Sequence, residues 1–128
     1  MRLCMRDNEL ILEILHQIQK SAQKVVQRFQ AIRKPNDFTD TSAGVEKMDA
    51  ICMMLIVIGE SLKKLDKVTD NDLLIKYLDF DWKKVKGMRD IITHHYVDIN
   101  AETIFFTCKR KIPDLFGTIQ KIINDLNV

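Results

Sequence analysis

The chain has little of what tight turns need, with 4 glycines and 2 prolines in 128 residues. That excludes a hairpin-rich β architecture. Cysteine is scarce as well: Cys4, Cys52 and Cys108 are an odd, widely spaced set with no C-x-x-C. Each lies among apolar residues and reads as a buried or half-buried free thiol in a reducing cytoplasm, not as a disulfide partner or metal ligand. No charge of one sign dominates. Twenty Lys and Arg against 18 Asp and Glu leave a net charge of +2, which argues against a DNA-coating protein but allows an enzyme that binds RNA locally. Long hydrophobic runs are also missing. The longest, AICMMLIVI from Ala50 to Ile58, is much too short to span a bilayer and reads as a core helix. Glu9 and Glu13 interrupt the apolar stretch near the start, so no signal peptide is read there. A cytoplasmic chain with no membrane segment is the expectation.

What the chain does have is apolar residues at helical spacing. Its length suits one domain, residues 1–128, able to bury a core without disulfides or metal. Ile11, Ile14, Ile18, Ala22, Val25, Phe29 and Ile32 alternate steps of three and four, one stripe of a long helix from about Arg6 to Arg33 that Pro35 stops. NDFTDTSAG follows as the loosest part of the first half. A second helix is expected from Ala43 to Leu65, apolar on every side in its middle, so it needs neighbours on several faces or a second subunit. Gly59 inside it points to close backbone approach by a neighbour. TDND then caps a brief helix around Leu73 to Leu78. Asp81 caps a fourth helix to about His95 with Trp82, Val85, Met88 and Ile92 buried, and Asn100 caps a last one to Leu126. The stripe of the last helix is Ile104, Cys108, Ile112, Leu115, Ile119, Ile122 and Leu126, with a kink at Pro113. No strand-like alternation persists, so the fold class is all-α, a bundle of four main helices.

The most informative stretch is MRDIITHHY, Met88 to Tyr96. Arg89, His94 and Tyr96 follow R-x4-H-x-Y. A guanidinium forks onto phosphate oxygens, an imidazole exchanges protons near neutral pH, and a phenol can donate a hydrogen bond or be modified. Cleavage of RNA by its own 2′-hydroxyl needs a base, charge stabilisation on phosphorus and an acid for the departing 5′ oxygen. His94 can act as base or acid and Arg89 can neutralise the transition state. One chain then supplies a single strong proton-transfer group, and two copies across a two-fold axis would supply two. On a regular helix His94 lies about 140° round from Arg89, while Tyr96 nearly shares Arg89's face. Either the helix loosens near His94 or Arg89 reaches round.

IGESLKKL (Ile58–Leu65), DWKKVKGMRDIITHHYVDIN (Asp81–Asn100) and IPDL (Ile112–Leu115), in that order, resemble the HEPN superfamily, in particular its HepT-like toxin branch. R-x4-H alone is a weak motif; with these flanks it is much more specific. The resemblance implies a HEPN-type bundle of four to five helices and a metal-independent endoribonuclease, active as a homodimer around a shared cleft and paired with a nucleotidyltransferase antitoxin. It needs no cofactor. Residue by residue, Arg89 and His94 become the catalytic pair. Asp90 becomes a supporting polar group, and Tyr96 the tyrosine that the antitoxin adenylylates. His95 stands where an Asp is common in the family; it is a second, supporting imidazole within one chain, but on a regular helix its side chain points well away from that of His94.

Other residues carry two readings. Lys83, Lys84 and Lys86, with Lys109, Arg110 and Lys111 on the last helix, form either a basic rim for RNA or solvated helix faces. Glu60 faces either a partner cation or the site, a structural ion pair being the simpler reading. Adjacent His94 and His95 diverge on a helix, so metal binding is not expected. The alternative to a nuclease is a non-catalytic helical module that docks on a nucleotidyltransferase and binds nucleotide or RNA without cutting it.

Overall fold

A computed structural model of the chain describes residues 5–127, with side chains from 7 to 127. Cys4 lies outside the described residues. The elements run in the order α1 (Met5–Phe29), α2 (Ser42–Val68), α3 (Trp82–His95), α4 (Ala101–Phe106) and α5 (Ile112–Leu126). A π turn, Thr107–Lys111, joins α4 to α5 without a break. No strand occurs among the described residues, and none of their helices is long and apolar enough to cross a membrane.

Packing follows the order α3–α2–α1–α5. The α1 stripe is buried as expected at Ile11, Ile14, Ile18, Ala22 and Val25, and Leu15 joins it. The helix ends at Phe29, about one turn sooner than the expected end near Arg33. The carboxylate of Asp37 accepts the backbone N–H groups of Arg33 and Lys34 at 2.8 and 3.2 Å, so a turn takes the donors that a longer helix would have used. Those bonds hold the Asp37 carboxyl below its ordinary range. The segment expected to be loosest is in fact anchored. Phe38 is fully buried, with its ring 6.2 Å from that of Phe29. A Cβ on Gly44 would stand 1.9 Å from the Asp37 carbonyl oxygen, so only glycine lets α2 start there.

Thr41 caps α2 by accepting from the Gly44 N–H. Ile51, Leu55, Ile58, Leu62 and Leu65 are buried, but Met53 is 57% exposed. The middle of α2 is therefore not covered all round within one chain. Asp70 and Asn71 reverse the chain at positive φ, a conformation these two residue types tolerate. The helix expected around Leu73–Leu78 shrinks to a 3₁₀ turn, Leu74–Lys76. Asp81 caps α3 by accepting from Lys84 N–H, and Trp82, Val85, Met88 and Ile92 form its buried side, as the spacing predicts. Pro113 falls in the first turn of α5, directly after the π turn Thr107–Lys111. The wide turn before it lets the helix pass a residue that lacks an N–H donor.

Candidate active site

The site is built where α3 runs antiparallel along α2. Contacts Asp49–Tyr96, Glu60–Arg89 and Asp66–Lys86 step up one helix and down the other. The closest approach is at Gly59, where a Cβ would lie 2.5 Å from Cβ of Arg89. This is the neighbour that a mid-helix glycine anticipates, and it belongs to the candidate site itself.

With its stem against bare main chain, Arg89 reaches Glu60. Its Nε and Nη2 donate to Glu60 Oε1 at 3.2 and 2.9 Å, and its Nη1 donates to Asp90 Oδ1 at 2.9 Å. The same Asp90 oxygen accepts from Lys63 Nζ at 3.0 Å. Glu60, Arg89, Asp90 and Lys63 thus form a chain of alternating charge that sums to zero. The carboxylates of Glu60 and then Asp90 hold the guanidinium above its ordinary pKa. Lys63 and then Arg89 hold Asp90 below its own. Three of the five guanidinium N–H groups are donated within the chain, which leaves two for another acceptor.

His94 does not meet Arg89 inside one chain. The helix stays regular through His95, and a 3₁₀ turn begins only at Tyr96. Arg89 turns toward Glu60 instead of reaching round, so neither way of joining the pair is realised. Both His94 and His95 are exposed. Asp90, whose carboxylate holds Arg89 and Lys63, stands one turn before His94 on the same side of α3. Tyr96 shares the face of Arg89, as helix geometry requires, and its hydroxyl donates to the Asp49 carboxylate. Beside that bond lies a mostly apolar cleft of about 380 Å³ lined by Asp49, Cys52, Met53, Ile56, Ile92, Thr93 and Tyr96.

The lysines divide. Lys86 is committed to Asp66, while Lys83 and Lys84 are exposed. Lys83 lies on the His94 side of α3, about 16 Å away along the axis. Lys84 faces the other way, into a groove of about 720 Å³ that it shares with Arg110, Lys111, Glu102 and Asp114. Among the described residues no group of three His, Cys, Asp or Glu side chains could hold a metal ion. Cys52 and Cys108 are buried and free. Burial pushes both thiols up to about 12, helped by Asp49 at Cys52 and by Cys52 at Cys108, so they are not nucleophiles at neutral pH.

Reading the sequence missed Asp49 and Lys63. Both lie on one stripe of α2, Asp49, Met53, Ile56, Glu60 and Lys63, with steps of four, three, four and three. That spacing marks a single helix face. It went unseen because the stripe mixes charge with apolar side chains.

Residues 12–122 match the family model described as ribonuclease HepT-like. Two archaeal proteins of Methanocaldococcus jannaschii, each named as a candidate RNase, are similar. One is 38% identical over 77 residues, 60% of this chain and 63% of the relative; the other is 36% identical over 77 residues, 60% of each. The match therefore spans less than two thirds of those relatives' length. A protein of Thermococcus cleftensis named as a probable ribonuclease HepT is 27% identical over 85 residues, 66% of this chain and 74% of the relative. No solved structure gives a significant match. With the family model covering all but the two ends of the described bundle, the chain belongs to the ribonuclease HepT-like family of the HEPN superfamily.

Proposed function

We propose that the chain is a metal-independent endoribonuclease toxin that acts as a homodimer and is silenced by a nucleotidyltransferase-type antitoxin. Arg89 and His94 of both copies cleave RNA in a shared cleft. The observation that carries this reading is the state of Arg89. Two carboxylates fix its guanidinium while two N–H groups stay available, on the helix that carries an exposed imidazole five residues further on. A pre-oriented cation with spare donors suits the equatorial oxygens of a phosphodiester, because no reorganisation is needed as charge builds up.

In the reaction, one His94 takes the proton of the ribose 2′-hydroxyl and that oxygen bonds to phosphorus. The bond to the 5′ oxygen breaks, and His94 of the second copy protonates the leaving alkoxide. A cyclic phosphate and a 5′-hydroxyl are the products. Asp90 keeps Arg89 in place, and Lys83 meets a phosphate two or three nucleotides away. Support for a dimer comes from the single motif histidine, His94, that each chain supplies and from apolar side chains left uncovered around the site: Met53, Ile91 at 50% exposure and Val97 at 97%. An adenylyl group on Tyr96, 40% exposed and two turns from Arg89 on the same face of the helix, would bring a phosphate to the face on which RNA phosphate is to lie.

The deciding experiment is incubation of the purified chain with transfer RNA in a chelator. New ends carrying cyclic phosphate are expected, and are lost in both His94→Ala and Arg89→Ala while helicity persists. RNA left whole by the wild-type chain, or cut as well by both variants, overturns the proposal. Mass spectrometry after co-expression with the nucleotidyltransferase is expected to find AMP on Tyr96; a silenced complex with Tyr96 unmodified means occlusion instead. One observation favours the non-catalytic docking module: Glu60 and Asp90 already pair Arg89 as a structural charge cluster would. That reading expects RNA to be bound and left whole.

A further inference from the structure

The last turn of α3 has little else to hold it. Beyond Ile92, the side chains of His94, His95, Val97 and Asp98 are exposed, and the next apolar anchor along the chain is the half-buried Ile99. Between them, one side-chain hydrogen bond among the described residues ties the segment to its surroundings: the Tyr96 hydroxyl donates to the Asp49 carboxylate across the α2–α3 seam. Tyr96 is also where the α-helix gives way to the 3₁₀ turn Tyr96–Asp98, two residues after His94.

We infer that Asp49 is a positioning residue for His94, acting through Tyr96 as a latch on the end of α3. The inference rests on the nuclease reading of His94 and deepens it. Helix ends fray when few buried contacts hold them, and a cross-helix hydrogen bond to a carboxylate is of the stronger, charge-assisted kind. Geometry makes the latch sensitive to the phenolic oxygen. A group esterified there removes the only proton Tyr96 can donate, and a phosphate ester adds negative charge against the Asp49 carboxylate. Attraction becomes repulsion. Modification of Tyr96 then releases the turn that carries His94, in addition to filling the cleft.

The test compares Asp49→Ala, Asp49→Asn, Tyr96→Phe and the Asp49→Ala/Tyr96→Phe double variant of the whole chain. Asp49→Ala and Tyr96→Phe are each expected to lower kcat for RNA cleavage by about tenfold or more with KM nearly unchanged, as small misplacements of catalytic groups do. The double variant should lose no more than either single one, since both break the same bond. Asp49→Asn, whose amide oxygen still accepts from the hydroxyl, should recover most of the rate. Amide hydrogen exchange should quicken at residues 93–98 in the two single variants and nowhere else. Wild-type kcat in Asp49→Ala, or losses that multiply in the double variant, overturn the latch. If the wild-type chain cuts no RNA, the nuclease reading fails by itself. The exchange comparison then decides the latch, and unchanged exchange at 93–98 overturns it.

Discussion

At its N-terminal end α3 is tied down several times over. Asp81 caps it, the Trp82 indole donates to the Tyr77 carbonyl at 2.9 Å and packs 4.6 Å from the Phe80 ring, and Lys86 pairs with Asp66. At its C-terminal end two histidines stand in solvent and one tyrosine reaches across to α2. The first end is fixed, the second is open to solvent, and Arg89 sits between them. One short helix can thus keep a cation fixed while leaving an imbalance of support at the imidazole. The turn that carries His94 then depends on the one cross-helix bond between Tyr96 and Asp49.

The contrast can be broken from either end. The largest effect is expected at the free end. His94→Ala and Arg89→Ala should each lower RNA cleavage by roughly a thousandfold, within the range for general acid–base groups and phosphate-stabilising arginines. Thermal midpoints should stay within a few degrees, read by gel assay and circular dichroism on the same samples. At the anchored end Trp82→Ala should destabilise the fold by about 3–5 kcal/mol in urea titration, as loss of a buried aromatic does. Between the two, Gly59→Ala forces α2 and α3 apart at Arg89 and should cost about 1–3 kcal/mol, together with a loss of cleavage. Gly117→Ala makes the control: nothing lies within 4 Å of its added Cβ, so it should stabilise the fold by about 0.5–1 kcal/mol.

The smallest effect concerns alkaline pH and groups away from the site. Burial raises Cys52 and Cys108 from 9.0 to about 12, and burial with the hydrogen bond to Asp125 raises Tyr77 from 10.0 to about 12. In each case the folded chain holds its proton more tightly than the unfolded chain. Their contribution is therefore whole below pH 9 and is lost progressively as pH rises toward 12. Urea midpoints should stay level up to about pH 9 and fall above it. Tyr77→Phe should flatten part of that fall.

How far the sequence could be read depended on whether one physical rule acted alone. The buried side of α3 and the caps at Asp81 and Asn100 follow from local spacing and side-chain chemistry, and they stand where spacing puts them. Phe38 was misjudged because polar neighbours hid an anchor that only tertiary packing reveals. The end of α1 was misjudged because Asp37 competes for backbone donors that apolar spacing ignores. At the π turn a clue was present. Ile104, Cys108 and Ile112 are separated by two successive steps of four, which calls for slower rotation than 100° per residue. At the site, Arg89, Asp90, His94 and Tyr96 were legible as a motif. Their partners Asp49 and Lys63 were not, because pairing across two helices depends on a register that no local pattern states.

The bare main chain under Arg89 has a consequence for how the site is tuned. With no side chain at Gly59 to serve as a cushion, the height of the guanidinium is set directly by the gap between two helical backbones. That gap works as a ruler. A load applied anywhere along α2 that widens it by a fraction of an ångström lifts the charge by about the same amount, so the cation can register events far from the RNA it would hold.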